Sequence, residues 1–348
     1  MAEIQANRDA FEAQALYCDA NDAPITARLC RAIAAAADES TETGRRILDW
    51  PGAPIADALP LRAAGGFHAL WRTGRAPALD GLFVGQDDDP TRIADAVRTI
   101  LNGHDAEIGA WLAGPPQTNE PGRSAGLMAG LSVLAERFGL PFDLLEIGSS
   151  AGLNLLIDRY RFDLGGVTAG PPQSPVLIRP EWRGPPPPTD EIRIADVQGV
   201  DIQPIDPTSA AAEQRLLAYI WADHAIRFQR VAAAIAMIRQ RPVSLAQGDA
   251  ADWVEARLAD RQAPGTMRVL MHSIVWQYLP AEGQARIAAA MAAAGARATE
   301  ERPLGWVCLE ADRQLNRHDL TVRHWPGGGE TQLRGHAHAH GFWVEWLG

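Results

Sequence analysis

The stretch Asp143-Leu144-Leu145-Glu146-Ile147-Gly148-Ser149-Ser150-Ala151-Gly152-Leu153-Asn154-Leu155-Leu156 decides the fold. An apolar run ends at Glu146, a tight turn uses Gly148 and Gly152, and the spacing beyond it predicts an amphipathic helix over Leu153–Tyr160. Strand, glycine turn and helix together open a βαβ unit, with the turn at the carboxyl end of a parallel strand, where open α/β sheets bind ligands. Glycines let a ligand approach the backbone, N–H groups at the helix start face it, and a carboxylate at the strand end accepts from an amine or hydroxyl. Glu146, Gly148, Ser149, Ser150, Gly152 and Asn154 are therefore the first candidate binding residues.

Working outward, short apolar runs recur at Phe142–Ile147, Ile192–Val200, Val243–Gln247, Met267–His272, Trp306–Leu309 and Phe342–Leu347. Helical patterns over Glu120–Phe138, Ala210–Arg239 and Glu282–Ala298 alternate with them, which predicts a doubly wound, mainly parallel sheet. The last run alternates and lacks a following helix, so it is expected antiparallel at an edge. Before Gly114 the pattern is helical throughout, as in Phe11, Leu16, Ile25, Leu29 and Ile33, with Asp89-Pro90 placed to cap a helix. The expected organisation is an all-helical N-terminal domain, 1–114, and an α/β domain, 115–348. A proline-rich insertion near 165–190 cannot continue a helix or join a central ladder, and reads as a stiff surface loop or a lid.

The glycine turn is E-x-G-x-x-x-G, since Ser150 stands where a dinucleotide fingerprint has its second glycine. It resembles motif I of the class I S-adenosylmethionine-dependent methyltransferases. The resemblance implies a Rossmann-like transferase fold with S-adenosylmethionine as cofactor, and further segments extend it. Val197-Gln-Gly-Val-Asp201 ends in an acid that would bind the ribose hydroxyls, and Gly248-Asp249-Ala250 is similar to the adenine-binding turn. His272-Ser273-Ile-Val-Trp276-Gln-Tyr278 stands where that family positions its substrate. Two departures qualify the match. Asp201 lies 53 residues beyond Gly148, which leaves Asp163 as a rival ribose ligand, and the fourth strand lacks the Asn/Asp-Pro-Pro-aromatic signature of exocyclic amino methylation. The whole chain also resembles an uncharacterised bacterial family known as a domain of unknown function, which implies a fold rather than a reaction.

Composition narrows the chemistry. All 32 basic residues are arginine, so Schiff-base, pyridoxal-phosphate, P-loop and protein-kinase chemistry lack their lysine. A net charge of −11 disfavours nucleic acid. Cys18, Cys30 and Cys308 fit neither a disulfide framework nor a zinc spacing. No leader or membrane-spanning run is read, and the expectation is a cytoplasmic protein with no membrane partner.

Other side chains complete the expected site. Asn119, Glu120 and Arg123 precede the glycine turn, either as helix caps or as cofactor ligands, with Arg123 suited to clamp a carboxylate. His272 is the expected general base, with Ser273 beside it as a cofactor contact. Tyr278, a further candidate catalytic residue, and Trp276 suit a wall around a sulfonium or simply core packing. Glu310 and Asp312, after the fifth strand, are read as general bases, with Glu310 the catalytic candidate, or as ordinary loop acids. His336, His338 and His340 alternate, so in a strand they would share a face, but they lack a further ligand, and no metal is expected. The resulting expectation is an S-adenosylmethionine-dependent methyltransferase acting on a small molecule; the alternative is a non-catalytic cofactor- or nucleotide-binding module on the same fold. A nicotinamide enzyme is disfavoured by the missing glycine. The N-terminal helices would cap the sheet or pair two copies as a homodimer.

Overall fold

The computed structural model describes residues 2–312 and 317–348, which divide into two compact units. The first unit comprises Met1–Thr118 and Ser209–Gln229; the second comprises Asn119–Thr208 and Arg230–Gly348. Helices α1 (Ala2–Asp19), α2 (Pro24–Ala36), α3 (Glu42–Leu48), α4 (Leu59–Arg72), α5 (Asp80–Phe83) and α6 (Pro90–Trp111) come first, and α7 (Ser124–Phe138) leads into the sheet. The helices interspersed with the later strands are α8 (Ala210–Ala218), α9 (Ala225–Gln240), α10 (Ala250–Ala259) and α11 (Ala281–Gly295).

In the helical unit the apolar spacing closes a core around Phe11, Leu29, Ile33, Phe67, Val97 and Ile108, while Leu16 faces outward. Asp89 caps α6 by accepting from Thr91 N at 2.9 Å and Arg92 N at 3.1 Å, and Pro90 occupies the position where a missing N–H costs nothing. The segment 209–229 supplies part of this unit. Trp221 joins its core, and Asp223 accepts from Ile25 N at 2.8 Å and Thr26 N at 3.1 Å at the start of α2. His68 Nδ1 meets the Ala218 carbonyl oxygen at 3.0 Å; burial lowers the ring's pKa to about 4, so it is neutral near pH 7. The helix expected over Ala210–Arg239 is thus two helices, α8 and α9, because Asp223 is used as a cap for another helix.

The second unit contains strands β1 (Phe142–Ile147), β2 (Arg161–Leu164), β3 (Val167–Ala169), β4 (Leu177–Ile178), β5 (Glu181–Arg183), β6 (Ile194–Asp201), β7 (Ser244–Gln247), β8 (Met267–Ser273), β9 (Leu304–Asp312), β10 (Arg317–Trp325), β11 (Gln332–Ala337) and β12 (Trp343–Trp346). Nine form one sheet in the order β5-β12-β11-β10-β9-β8-β1-β6-β7, and β3-β2-β4 form a small separate sheet. From β7 to β9 every neighbouring pair is parallel; β9, β10, β11 and β12 then follow one another antiparallel. This is a mixed α/β fold with a large, mostly parallel sheet. α7, buried along almost its whole length, packs on one face of β9 and β10. Leu145, Leu270 and Trp306 build a core with Val254, Ile287 and Met291 of α10 and α11. Among the described residues no helix is long and apolar enough to cross a membrane.

Three local expectations are corrected. The proline-rich insertion carries β3, β4 and β5, and β5 is itself the outer strand of the large sheet, where flanking prolines are tolerated. β12 is therefore antiparallel to β11, as expected, but is not an edge, because β5 pairs with it in parallel. Leu153–Arg159 forms 3₁₀ turns with a non-helical Leu156, not an α-helix.

Candidate functional site

The site grows from the end of β1. Gly148, Ser150 and Gly152 have φ of +66°, +52° and +74°, so the chain reverses through three left-handed residues, of which only Ser150 carries a side chain. The glycines also answer to packing. A Cβ on Gly148 would lie 2.3 Å from the Val275 side chain, and one on Gly152 2.8 Å from that of Val243. The turn's own amides are largely satisfied from within. Ser149 N donates to the Val200 carbonyl oxygen at 3.1 Å, Gly152 N to that of Ser149 at 2.7 Å, and Leu153 N to Asn119 Oδ1 at 2.7 Å.

Two polar side-chain atoms in this turn have no such partner. Glu146 Oε2 and Ser150 Oγ are buried and make no hydrogen bond among the described residues. Burial pushes the Glu146 carboxyl up to about 8, with Asn154 and Ser149 pulling the other way, so it holds its proton near neutrality.

The neighbouring strands end in acids too. Asp201, the last residue of β6, accepts from Ser150 N at 2.9 Å and from Gln203 N at 2.9 Å. Asp249, just beyond β7, caps α10 by accepting from Ala251 N at 2.8 Å and Asp252 N at 3.0 Å, with Ala250 as the helix's first residue. The rival Asp163 lies in the small sheet, paired with Arg179 at 2.9 Å, so Asp201 alone ends the strand beside β1. Ahead of β1, Asn119 does not cap α7; its side chain is spent on Leu153. Glu120 caps a short 3₁₀ turn through Gly122 N at 2.9 Å and forms a buried ion pair with Arg230 at 2.8 Å. Arg123 donates from Nε to the Ala339 carbonyl oxygen at 2.9 Å, and Ser124 Oγ donates to Asn154 Oδ1 at 2.9 Å.

A second cluster occupies the other face of the sheet. Glu146 is in register with Met271, and side chains alternate along a strand, so His272 points away from the Glu146 side. His272 pairs across the ladder with Cys308, and Glu310, two residues on, shares that face. His272 Nδ1 lies 2.6 Å from Glu310 Oε1, which also accepts from Val275 N at 3.1 Å, while Oε2 accepts from Trp276 N at 3.2 Å. On the far side of the ring, Nε2 is 3.2 Å from Cys308 Sγ and 3.0 Å from the Trp306 indole nitrogen. Trp276 stacks on the imidazole at 5.1 Å.

Because an indole N–H can only donate, Nε2 accepts in this arrangement and the ring's own proton sits on Nδ1, toward Glu310. Burial alone would lower the pKa of His272, but Cys308 and Glu310 outweigh it and raise it to about 10. Charge thus favours a second ring proton, while the indole occupies the position it needs; the donor geometry decides for the neutral ring until the indole yields. A cavity of about 240 Å³ opens over Cys308, and a hollow of about 590 Å³ beside it shares Trp276, Glu310 and Thr321.

The structure therefore gathers the expected residues into two groups. Glu146, Ser149, Ser150, Asn154, Asn119, Glu120 and Arg123 lie about the β1 turn, while His272 and Glu310 sit behind it. Glu310 is inside β9 rather than after the fifth strand, because that strand runs on to Asp312. Ser273 ends β8 and is buried, whereas Tyr278 is 72% exposed in the following 3₁₀ turn. His336 is in β11 with its Nδ1 2.8 Å from Asp319, but His338 and His340 lie beyond the strand, so the three do not share a strand face. Among the described residues no group of three or more His, Cys, Asp or Glu is placed to hold a metal. Cys308 was missed as a site residue, although Cys308-Leu-Glu310 in a strand puts thiol and carboxylate on one face.

The fold and its clusters define a mixed α/β protein with polar groups collected at the carboxyl ends of its central parallel strands. The chain belongs to the bacterial family described as an uncharacterized protein conserved in bacteria (DUF2332), whose model matches residues 8–346. Neither the curated proteins nor the solved structures contain a match to it.

Proposed function

We propose that the protein is a class I methyltransferase-like enzyme that binds S-adenosylmethionine at the carboxyl ends of β1, β6 and β7 and methylates a small molecule. The observation that carries this reading is the pair of buried, unpartnered polar atoms, Glu146 Oε2 and Ser150 Oγ, in the turn after the central strand. Buried polar groups are nearly always satisfied, and a ligand that supplies a donor accounts for both. Acidic side chains also gather at the ends of three neighbouring strands: Glu146 one residue before the end of β1, Asp201 at the end of β6 and Asp249 just beyond β7. The two aspartates spend only part of their lone pairs on backbone amides and can still accept from hydroxyl or amine donors. The strand order β7-β6-β1-β8-β9 is 3-2-1-4-5 among the parallel strands, the order of the doubly wound dinucleotide folds.

The bound cofactor would supply an electrophilic methyl group on a sulfonium. The chain's part would be to orient it, exclude water and hold the acceptor in line. Because His272 faces the other side of the sheet, this reading does not place it at the methyl group. Calorimetric titration with S-adenosylhomocysteine tests the reading, with binding expected for wild type and weakened roughly tenfold in Glu146→Ala, the loss of one buried hydrogen bond from a neutral carboxyl. No heat at millimolar ligand, or equal affinity in the variant, would sink it. If the ligand binds but no methyl group reaches any of a panel of small acceptors, the protein is a binding module on this fold.

A further inference from the structure

The cluster on the opposite face of the sheet has the parts of a different reaction centre. Cys308, His272 and Glu310 stand in the order nucleophile, base and orienting carboxylate, at 3.2 and 2.6 Å, and the cavity opens over the sulfur. Glu310 is itself fixed by the Val275 and Trp276 amides, so the proton on His272 Nδ1 is held and Nε2 is the nitrogen offered to the thiol. Cys308 is part-exposed, whereas Cys18 and Cys30 are buried. Arg323 lines the same cavity. It lies over the Trp306 ring at 5.0 Å and donates from Nε to the Gly329 carbonyl oxygen at 2.7 Å, with no other hydrogen-bond partner among the described residues. Its guanidinium puts a positive charge on the lining of the cavity that the thiol shares.

We propose that Cys308 is the nucleophile of a thiol acyl-transfer site that takes small activated esters carrying an anionic group. His272 serves as its base, Glu310 as a positioning residue and Arg323 as the anion anchor. The thiol proton passes to His272 Nε2 as sulfur bonds to the ester carbonyl carbon. The carbon–oxygen bond to the leaving group breaks, and that oxygen leaves with the proton from Nε2. Water, deprotonated by the same nitrogen, then attacks the thioester; the carbon–sulfur bond breaks, the proton returns to sulfur, and the acid departs. The Trp306 indole competes for Nε2 and must release it before the first transfer. This site stands apart from the cofactor reading, whose residues lie across the sheet.

The test is alkylation of the full chain by iodoacetamide and iodoacetate, together with acylation by p-nitrophenyl acetate and its anionic succinate counterpart. Mass spectrometry locates the adduct, with the two buried cysteines as internal references. At pH 7 Cys308 is expected to react roughly tenfold faster than glutathione, to be acylated, and to release the acid. His272→Gln abolishes the excess, and Arg323→Gln removes a preference for the anionic reagents. Trp306→Phe, which frees Nε2, raises the rate. Among the described residues, His272, Glu310 and Arg323 are the only ionisable side chains that line the cavity with the thiol. Glu310→Gln is expected to move the pH–rate profile upward, because a less basic His272 takes the thiol proton less readily. A wild-type Cys308 that reacts no faster than glutathione, or that is not acylated, overturns the proposal, as does an unchanged rate in folded His272→Gln. If His272→Gln does not fold, a slower Trp306→Phe overturns it instead.

Discussion

The two sides of the central sheet meet the same problem, polar side chains buried beside parallel strand ends, and solve it differently. On the Glu146 side the chain folds tightly upon itself: glycine turns, a buried Glu120–Arg230 pair and amides matched to Asp201 and Asn119. On the His272 side β8 supplies the imidazole and β9 both the thiol and the carboxylate of a linear array that ends at a cavity, to which β10 adds Arg323. The first arrangement is over-determined and its side chains are costly to remove; the second is supported from behind and open in front. The comparison teaches that a residue's burial says little about its work until its partners are counted.

The largest effect expected is from Glu120→Ala, which leaves Arg230 buried without its carboxylate. Removing one partner of such a pair costs about 3–5 kcal/mol, to be read as a lower urea midpoint at unchanged slope. Next is Gly148→Ala. Its left-handed φ and the overlap with Val275 combine strain with overpacking, for a loss of about 2–4 kcal/mol in the same measurement. If either variant is as stable as wild type, the Glu146 side is not the tightly determined one.

Glu146→Gln sharpens the contrast through pH. The folded pKa of about 8 lies above the ordinary carboxyl value, so between roughly pH 4.5 and 8 the folded chain keeps a proton the unfolded chain has released. Stability from this group is full below that window and falls as pH rises through it. The variant lacks this fall and should exceed wild type by ~1–3 kcal/mol at pH 9. His68 acts in the opposite sense: its folded pKa of about 4 makes stability rise from about pH 4 to 6.5 in both proteins. Equal pH slopes for wild type and variant above pH 6.5 would show that Glu146 is not held protonated.

The smallest effect belongs to the other face. Trp276→Ala removes one stacked ring from a part-exposed position and should cost only about 1 kcal/mol, while changing the alkylation rate of Cys308. A large loss of stability there would erase the distinction between the two sides.

The parallel half of the sheet was legible because its strands hold short apolar runs, which an acid or a glycine closes in β1, β6, β7 and β9 and a His-Ser pair closes in β8. β10 and β11 were not. In Arg317–Trp325 only Leu320 and Val322 are fully buried apolar positions, so the alternation is too sparse to outweigh the charged residues between them. β4 and β5 are two and three residues long, beneath what any periodicity can register. At the site, the carboxylates Glu146, Asp201 and Asp249 were legible as strand-end acids, but not that the two aspartates cap turns. That depends on φ and ψ at Ser150 and on where α10 begins. His272 and Glu310 were named separately; what joins them is strand register, which sequence spacing does not carry across 38 residues.

The segment Ser209–Gln229 has a consequence for the protein's modularity. It crosses out of the sheet unit between β6 and β7 and returns, so the helical unit is written in two places along the gene. A fragment ending at Thr118 would lack Trp221 from its core and Asp223 from the start of α2. The helical unit is therefore discontinuous in sequence, and limited proteolysis at the Thr118 boundary should release no stable piece.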